Sequence, residues 1–317
     1  MSEKTNSMVE AMKTQTIGVE IEMADITREA ACRVVAKHFG TENTVRYEGG
    51  AYKTWSCKDP QGRRWAITRD SSIKARTDDE KSELGTPILT YADIEDLQQI
   101  VRDLRKAKAV SDPIHGCGVH VHIGANGHDA RTLRNLTNIM ASHEDLLIDA
   151  INIAESRTGT YCQVTDRRFL ERLNKKKPDT MAKLADIWYE ENHATYGRDR
   201  HYNESRYHML NLHATFTKGT VEFRLFQFDN PTAERKGGLH AGQLKAYIQL
   251  CLALSQSAKT ARSASPAARQ TDNPKYAMRT WLLRLGFIGE EFATAREMLT
   301  RRLDGDAAFR NGRPAAN

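Results

Sequence analysis

"GCGVHVHIG", residues 116–124, decides how the rest of the chain is interpreted. Valine and isoleucine alternate with two histidines, and this period of two predicts a β-strand, because successive side chains of a strand point to opposite faces. One face is then apolar, and the other carries His120 and His122. The two histidines are either the solvated face of a strand or ligands of a metal, since histidine ligands often come in spaced pairs.

The same alternation occurs in "GVEIE" (18–22) and in "TVEFRLF" (220–226). It leaves Glu20 and Glu22 opposite the apolar face of the first strand, and Glu222 and Arg224 opposite that of the second. Each pair taken alone is also typical of a solvated strand face, and an exposed ion pair contributes less than about 1 kcal/mol. If the three strands share one sheet and one helical layer, all these ionisable groups converge on the other face.

The chemistry of this convergent set indicates a cation site. Three carboxylates on one surface repel one another unless a proton or a cation lies between them. Oxygen ligands combined with one or two imidazoles suit magnesium or manganese. Arg224 suits a phosphate or a carboxylate, because its guanidinium donates paired hydrogen bonds to such groups.

The elements around these strands predict an α+β fold with a mainly antiparallel sheet, because strands follow one another in hairpin fashion with helices between and after them. Thr90 and Asp93 predict a capping box at the start of one helix. Besides the three strands above, we expect strands within 44–57, 62–70, 81–89 and 207–216, and helices over 90–104, 130–155, 230–256, 275–285 and 290–302.

The whole chain has the composition of a soluble globular protein, with 317 residues, 39% apolar and 28% charged. Neither a membrane-length apolar run nor a secretory leader is evident, so we expect a cytoplasmic protein. Five scattered cysteines without a CxxC pair predict reduced, buried thiols. The net charge of +6 fits a nucleotide, an acidic substrate, a nucleic acid or merely a solvated basic surface.

The same patterns divide the chain into four segments. We expect a frayed N-terminus, a catalytic domain with an inserted flap, a linker with C-terminal helices packed on the domain, and a tail. The segments are 1–15, 16–256 with the flap at 157–202, 257–303 and 304–317.

Six motifs, taken in their order, resemble the amidoligase family, which consists chiefly of bacterial and phage proteins. They are "GVEIE", "RDSSI", "ELGTPIL", "CGVHVHIG", "RYHMLNL" and "GTVEFRLF", and they span about residues 16–255. The family is assigned to the carboxylate-amine ligase fold, together with glutamine synthetase and glutamate-cysteine ligase. The resemblance implies a curved, mainly antiparallel sheet with helices on one face and the active site on the other. It also implies ATP- and magnesium- or manganese-dependent formation of an amide or isopeptide bond through an acyl phosphate.

The resemblance also assigns roles to residues. Arg224 resembles the arginine that steadies the transferred phosphoryl group, and His122 is placed like a nucleotide or substrate contact. The implied metal ligands are Glu20, Glu22, Glu83, His120 and Glu222.

Four further roles have structural alternatives. Asp70 resembles a group that deprotonates or positions the amine, although an aspartate after a strand is often a turn residue. Arg157 resembles a phosphate or substrate contact, although a helix-end arginine also binds backbone carbonyls. Tyr207 and Asn211 line the pocket by resemblance, although Asn211 could simply bind neighbouring backbone.

The implied partners are a small-molecule or peptide carboxylate and an amine, and the sequence identifies neither of them. One alternative is a metal-dependent hydrolase or oxygenase built on the HxH strand. However, "IGANGHD" (123–129) does not continue a cupin-type pattern. The other alternative is a basic nucleic-acid-binding protein, for which no motif is present. The sequence gives no oligomeric state.

Overall fold

A computed structural model describes residues 3–233, 237–268 and 271–310. Its strands form one curved antiparallel sheet of eight strands, in the order β2-β3-β4-β5-β1-β6-β8-β7, with helices packed around it, so the predicted α+β class is confirmed. The strands are β1 Ile17–Met23, β2 Arg46–Gly49, β3 Thr54–Lys58, β4 Arg64–Thr68, β5 Ser82–Gly85, β6 Val119–Gly124, β7 Leu210–Asn211 and β8 Thr220–Phe226.

The α-helices of the described residues are named in chain order. They are α1 Glu3–Lys13, α2 Arg28–Phe39, α3 Ile94–Lys106, α4 Ala130–Ala141, α5 Glu144–Ile151, α6 Glu155–Thr158, α7 Arg167–Lys176, α8 Met181–Glu191, α9 His213–Lys218, α10 Ala241–Thr260, α11 Pro274–Arg284 and α12 Ala293–Thr300.

The chain divides into two compact units, and each is described by itself. The strand unit comprises Thr16–His122 and Arg224–Lys245. The helical unit comprises Met1–Gln15, Ile123–Phe223 and Ala246–Asn317.

In the strand unit, alternation along the strands builds the apolar core. Val19 and Ile21 of β1 and Leu84 of β5 are almost completely buried, and Ile21 lies opposite Leu84 in the antiparallel register. Burying a side chain of this size stabilises the fold by about 1.5–3 kcal/mol. Helix α2 packs against β3, β4 and β5, so these strands have their apolar side covered. The predicted capping box of Thr90 and Asp93 is present ahead of α3.

The helical unit differs from the single helix predicted for 130–155, because the chain breaks between α4 and α5. His143 has φ −131° and leaves the helical conformation. Its ring stacks on Trp281 with the ring centroids 3.9 Å apart, and the Ser142 hydroxyl donates to the Ile139 carbonyl at 3.0 Å. These contacts stabilise the break, and periodicity alone does not reveal them.

Three other sequence-based expectations need correction. Residues 3–13 form helix α1, with Val9 and Met12 buried, where we expected a frayed segment. The predicted strand 207–216 is reduced to β7, because helix α9 starts at His213 and the Asn211 side chain accepts a hydrogen bond from the backbone of that helix. The helix predicted from residue 230 begins at Ala241.

The reason for the late start of that helix is a turn after β8. The Gly238 amide donates to the Asp229 carbonyl at 2.6 Å, and the two residues form an antiparallel bridge. A bridge of this kind is incompatible with a helix through the same residues. Part of the predicted helix, residues 234–236, lies outside the described residues.

The cysteines agree with prediction, since all five are free thiols in buried positions. Among the described helices, none combines the length and the apolar character needed to span a bilayer.

Candidate active site

The first carboxylates of the site come from β1, whose apolar face holds them in place. Glu22 is 5% exposed, and its Oε2 accepts a hydrogen bond of 2.6 Å from the Gly118 amide. The Glu22 amide donates in turn to the Gly118 carbonyl at 3.1 Å. A backbone amide therefore fixes one carboxylate oxygen, and Oε1 stays available for other contacts.

Both histidines of β6 contact Glu20. The Nδ1 atom of His120 donates to Glu20 Oε2 at 3.0 Å, since a carboxylate oxygen only accepts. In the neutral tautomer the lone pair of His120 is then on Nε2, which lies 3.7 Å from Glu22 Oε1. His122 Nε2 lies 3.4 Å from Glu20 Oε1. The two imidazoles are 4% and 7% exposed, so they are not a solvated strand face.

Glu83 of β5 lies between β1 and β4. It is directly opposite Glu22 in one register and opposite Thr68 in the other. The Thr68 hydroxyl donates to Glu83 Oε1 at 3.3 Å. Asp70, two residues beyond Thr68, accepts hydrogen bonds of 2.7 Å from both the amide and the hydroxyl of Ser72.

We call Glu20, Glu22, Asp70 and Glu83 the acidic cluster, and the pKa values of two members move in opposite directions. Burial alone raises the pKa of Glu20, but the charge of His122 and hydrogen bonds with His120 and His122 outweigh it and hold that pKa well below its ordinary value. Burial, with the neighbouring charges of Glu20, Glu22 and Asp70, holds the pKa of Glu83 well above its ordinary value. The histidines thus compensate one side of the cluster, and the Glu83 side retains its mutual repulsion.

Two overlapping groups in the strand unit have the donor atoms that a divalent cation requires. One is Glu20, Glu83 and His120, and the other is Glu22, Asp70 and Glu83; within each group the candidate ligand atoms lie within 4.8 Å of one another. Carboxylate oxygens with one imidazole suit Mg²⁺ or Mn²⁺. A cation at either place would also relieve the repulsion that raises the pKa of Glu83, so these residues fit the metal that the sequence predicts.

The structure brings together six of the predicted site residues, namely Glu20, Glu22, Asp70, Glu83, His120 and His122. Arg224 lies on β8 of the strand unit and is 5% exposed. Its contact with phosphate stays a prediction.

In the helical unit, Asn211 and Glu222 form a pair. They face each other in the β7–β8 register, and the Asn211 amide donates to Glu222 Oε2 at 2.6 Å. Tyr207 is half-buried, with its ring edge-on to that of Tyr161, and Arg157 is buried in helix α6. The roles of these four predicted residues as metal, phosphate or substrate contacts stay predictions.

The helical unit also contains an open cleft of about 760 Å³. The residues that line this cleft lie between positions 158 and 208; they include Arg167, Glu204 and His208 but none of the predicted site residues. Its mixed charges indicate polar ligands, but the donor set for a metal is in the acidic cluster.

Sequence reasoning missed the groups that hold the ligands, namely Thr68, Ser72 and the Gly118 amide. Alternation would have placed Thr68 and Asp70 on one face, because they are two residues apart. The Gly118 contact has no sequence signal, because any residue except proline has a backbone amide.

The chain is similar to a protein family and to a solved structure. The family model described as "Putative amidoligase enzyme" matches residues 13–255, about three quarters of the chain. The crystal structure of a bifunctional glutathione synthetase from Pasteurella multocida matches with a TM-score of 0.47 at 12% identity, over 95% of this chain and 49% of that one. The chain thus spans about half the length of that structure. A search of curated proteins gave no match.

Proposed function

Because the chain belongs to the amidoligase family, a family of ligases, we propose that it joins a carboxylate to an amine in an ATP- and magnesium-dependent reaction. The observation that carries this proposal is the acidic cluster with His120 on the strand face opposite the apolar core, where Glu22 and His120 are buried and Glu20, Asp70 and Glu83 are partly buried. Four carboxylates together are unfavourable without a cation, and ATP-dependent ligation uses a magnesium–nucleotide complex.

The chemistry explains the need for ATP. A carboxylate does not react with an amine directly, because its leaving group would be oxide. A carboxylate oxygen of the substrate therefore takes the γ-phosphoryl group, ADP leaves, and an acyl phosphate forms. The amine nitrogen then attacks the acyl carbon, phosphate leaves, and the proton of the amine passes to a base.

The residues of the strand unit have different roles in cation binding. Glu20, Glu22 and Glu83, with His120, would hold divalent cations, which when bound neutralise charge on the phosphates. The Gly118 amide keeps Glu22 oriented, and His120 keeps Glu20 oriented.

The remaining roles follow the family resemblance. Glu222 is assigned to the metal, and Arg224, with Arg157, to the transferred phosphoryl group. His122 is assigned to nucleotide or substrate, and Tyr207 and Asn211 to the substrate pocket. Asp70 is assigned to the incoming amine by resemblance, and it is also a candidate cation ligand in the group with Glu22 and Glu83.

The arrangement of the histidines argues against a hydrolase or oxygenase built on the HxH strand. Such a centre needs both imidazoles on one ion. Among the described residues, no group of three or more candidate ligands contains both His120 and His122. The acyl donor is a small-molecule or peptide carboxylate, and we expect the reaction to take place in the cytoplasm.

The decisive experiment replaces the amine with hydroxylamine, which traps an acyl phosphate as a hydroxamate. Purified protein with ATP and Mg²⁺ is screened against amino acids, short peptides and other carboxylates for hydroxamate and ADP. Glu22→Gln and Glu83→Gln should lose turnover, whereas Glu29→Gln, which changes an exposed carboxylate on α2, should retain it. Full activity in both site variants would refute the proposal.

Nucleic-acid binding is tested on the same preparation. Magnesium-independent DNA affinity that falls steeply with salt, without any nucleotide turnover, would favour the basic binding protein instead.

A further inference from the structure

We propose that Thr68 is a positioning residue for Glu83, the carboxylate that both candidate cation groups of the strand unit share. Its hydroxyl orients Glu83 so that one carboxylate serves two neighbouring cations. This inference rests on the proposed function, since it assumes that the acidic cluster binds divalent cations.

The strand registers place Glu83 between a donor and an acid. Across β4–β5 it faces Thr68, and across β5–β1 it faces Glu22. The Thr68 hydroxyl donates to Glu83 Oε1 at 3.3 Å. Threonine is branched at Cβ and has a restricted χ1 angle, so a strand threonine presents its hydroxyl in a well-defined direction.

The charge around Glu83 makes this single donor important. The charges of Glu20, Glu22 and Asp70 all repel the Glu83 carboxylate. The imidazole of its candidate groups, His120, donates its Nδ1 hydrogen to Glu20 instead. Without the hydroxyl, Glu83 would be free to rotate away from these carboxylates. A carboxylate has about four acceptor positions, so one hydrogen bond at Oε1 leaves Oε2 and a further lone pair for cations.

Ser72 provides an internal comparison. Its amide and hydroxyl hold Asp70, which belongs to one candidate group only, whereas Glu83 belongs to both. Removing the Thr68 hydroxyl should therefore weaken the binding of two cations, and removing the Ser72 hydroxyl should weaken the binding of one.

The test is a Mn²⁺ titration of the full chain without nucleotide, in which the electron paramagnetic resonance signal measures the free Mn²⁺. Thr68→Val keeps the shape of the side chain and removes the hydrogen-bond donor. Loss of a group that orients a metal ligand typically weakens metal binding about 10–100-fold. We expect about tenfold weaker binding at both sites, because the hydrogen bond is long. Thr68→Ser should restore the affinity, and Ser72→Ala should affect one site.

Thr54→Val is the matched control, because Thr54 is a β3 threonine whose hydroxyl has no hydrogen bond within the described part of the chain. A merely structural role for Thr68 would lower the melting temperature of Thr68→Val without a selective loss of Mn²⁺. If Thr68→Val does not fold, Thr68→Ala replaces it in the same comparison.

The outcomes separate the two proposals. Unchanged Mn²⁺ affinity in Thr68→Val, with binding by the wild type, would overturn the positioning role alone. Absence of Mn²⁺ binding by the wild type would overturn both the positioning role and the metal-dependent function.

Discussion

Replacing Glu83 by glutamine should make the metal-free protein at least as stable as the wild type while removing its response to metal. Glutamine has the same shape and keeps an acceptor for Thr68, but it carries no charge to repel Glu20, Glu22 and Asp70. The substitution therefore separates electrostatic repulsion from packing. Substitutions at active sites can stabilise a protein, because function often requires residues in an arrangement that lowers stability.

The size of the metal response follows from binding linkage. A ligand at one hundred times its dissociation constant stabilises the folded state by about 2.7 kcal/mol. A chain of 317 residues has an unfolding entropy of about 0.7 kcal/mol/K, so this corresponds to roughly 4 °C in the melting temperature. A hundredfold weaker site at the same metal concentration gives about 0.4 kcal/mol, which is less than 1 °C.

The assay is calorimetric melting of wild type and Glu83→Gln in EDTA and in saturating Mg²⁺, at several pH values. The folded-state pKa of Glu83 is raised, so its contribution to stability is complete below the ordinary carboxyl pKa and is lost as pH rises through the folded value. In EDTA the wild type should therefore lose stability with rising pH relative to Glu83→Gln. A variant less stable than wild type in EDTA, or a wild type indifferent to Mg²⁺, would refute the reasoning.

Three other predictions concern separate parts of the molecule. Gly116→Ala should lower the free energy of unfolding in urea by about 1–3 kcal/mol, because Gly116 has φ +74° and an added Cβ would lie 3.3 Å from the Ser72 carbonyl. Glu20 has a lowered pKa, so its contribution to stability is present above the ordinary carboxyl pKa and is lost as pH falls through the folded value. In denaturant titrations at several pH values, the free energy of unfolding of Glu20→Gln should therefore fall less steeply with decreasing pH than that of the wild type. Asn203→Ala removes an amide that donates to three loop carbonyls, and should cost about 1–3 kcal/mol and speed hydrogen exchange in the loop 194–203.

The strands of the site could be predicted from the sequence because their two faces differ so sharply in polarity. Alternation in "GVEIE" and "GCGVHVHIG" specified which side chains face the core and which face the site. The structure has Val19 and Ile21 in the core and His120 on the other face, in contact with Glu20. Helix boundaries were harder to predict. The break at His143 depends on a stacking partner, Trp281, that is more than a hundred residues away in sequence.

The assembly of the acidic cluster was only partly predictable for a related reason. Glu83 was assigned by resemblance, and its proximity to Glu22 depends on the β1–β5 register. Register is specified by the whole set of buried side chains, and a shift of one residue would turn Glu83 to the core. The groups that orient the ligands, Thr68 and the Gly118 amide, are recognisable only once the neighbouring strands are in place.

The two candidate cation groups should differ in strength because their charges differ. Glu20 already has two imidazole partners, so the group of Glu20, Glu83 and His120 contains one compensated carboxylate. The group of Glu22, Asp70 and Glu83 has three carboxylates and no imidazole, and Mg²⁺ and Mn²⁺ favour oxygen ligands. The second group gains more from a cation, so it should fill first in a Mn²⁺ titration, and Asp70→Asn should remove the tighter step. If Asp70→Asn loses the weaker Mn²⁺ binding step instead, then His120, and not the local excess of negative charge, sets the order of binding.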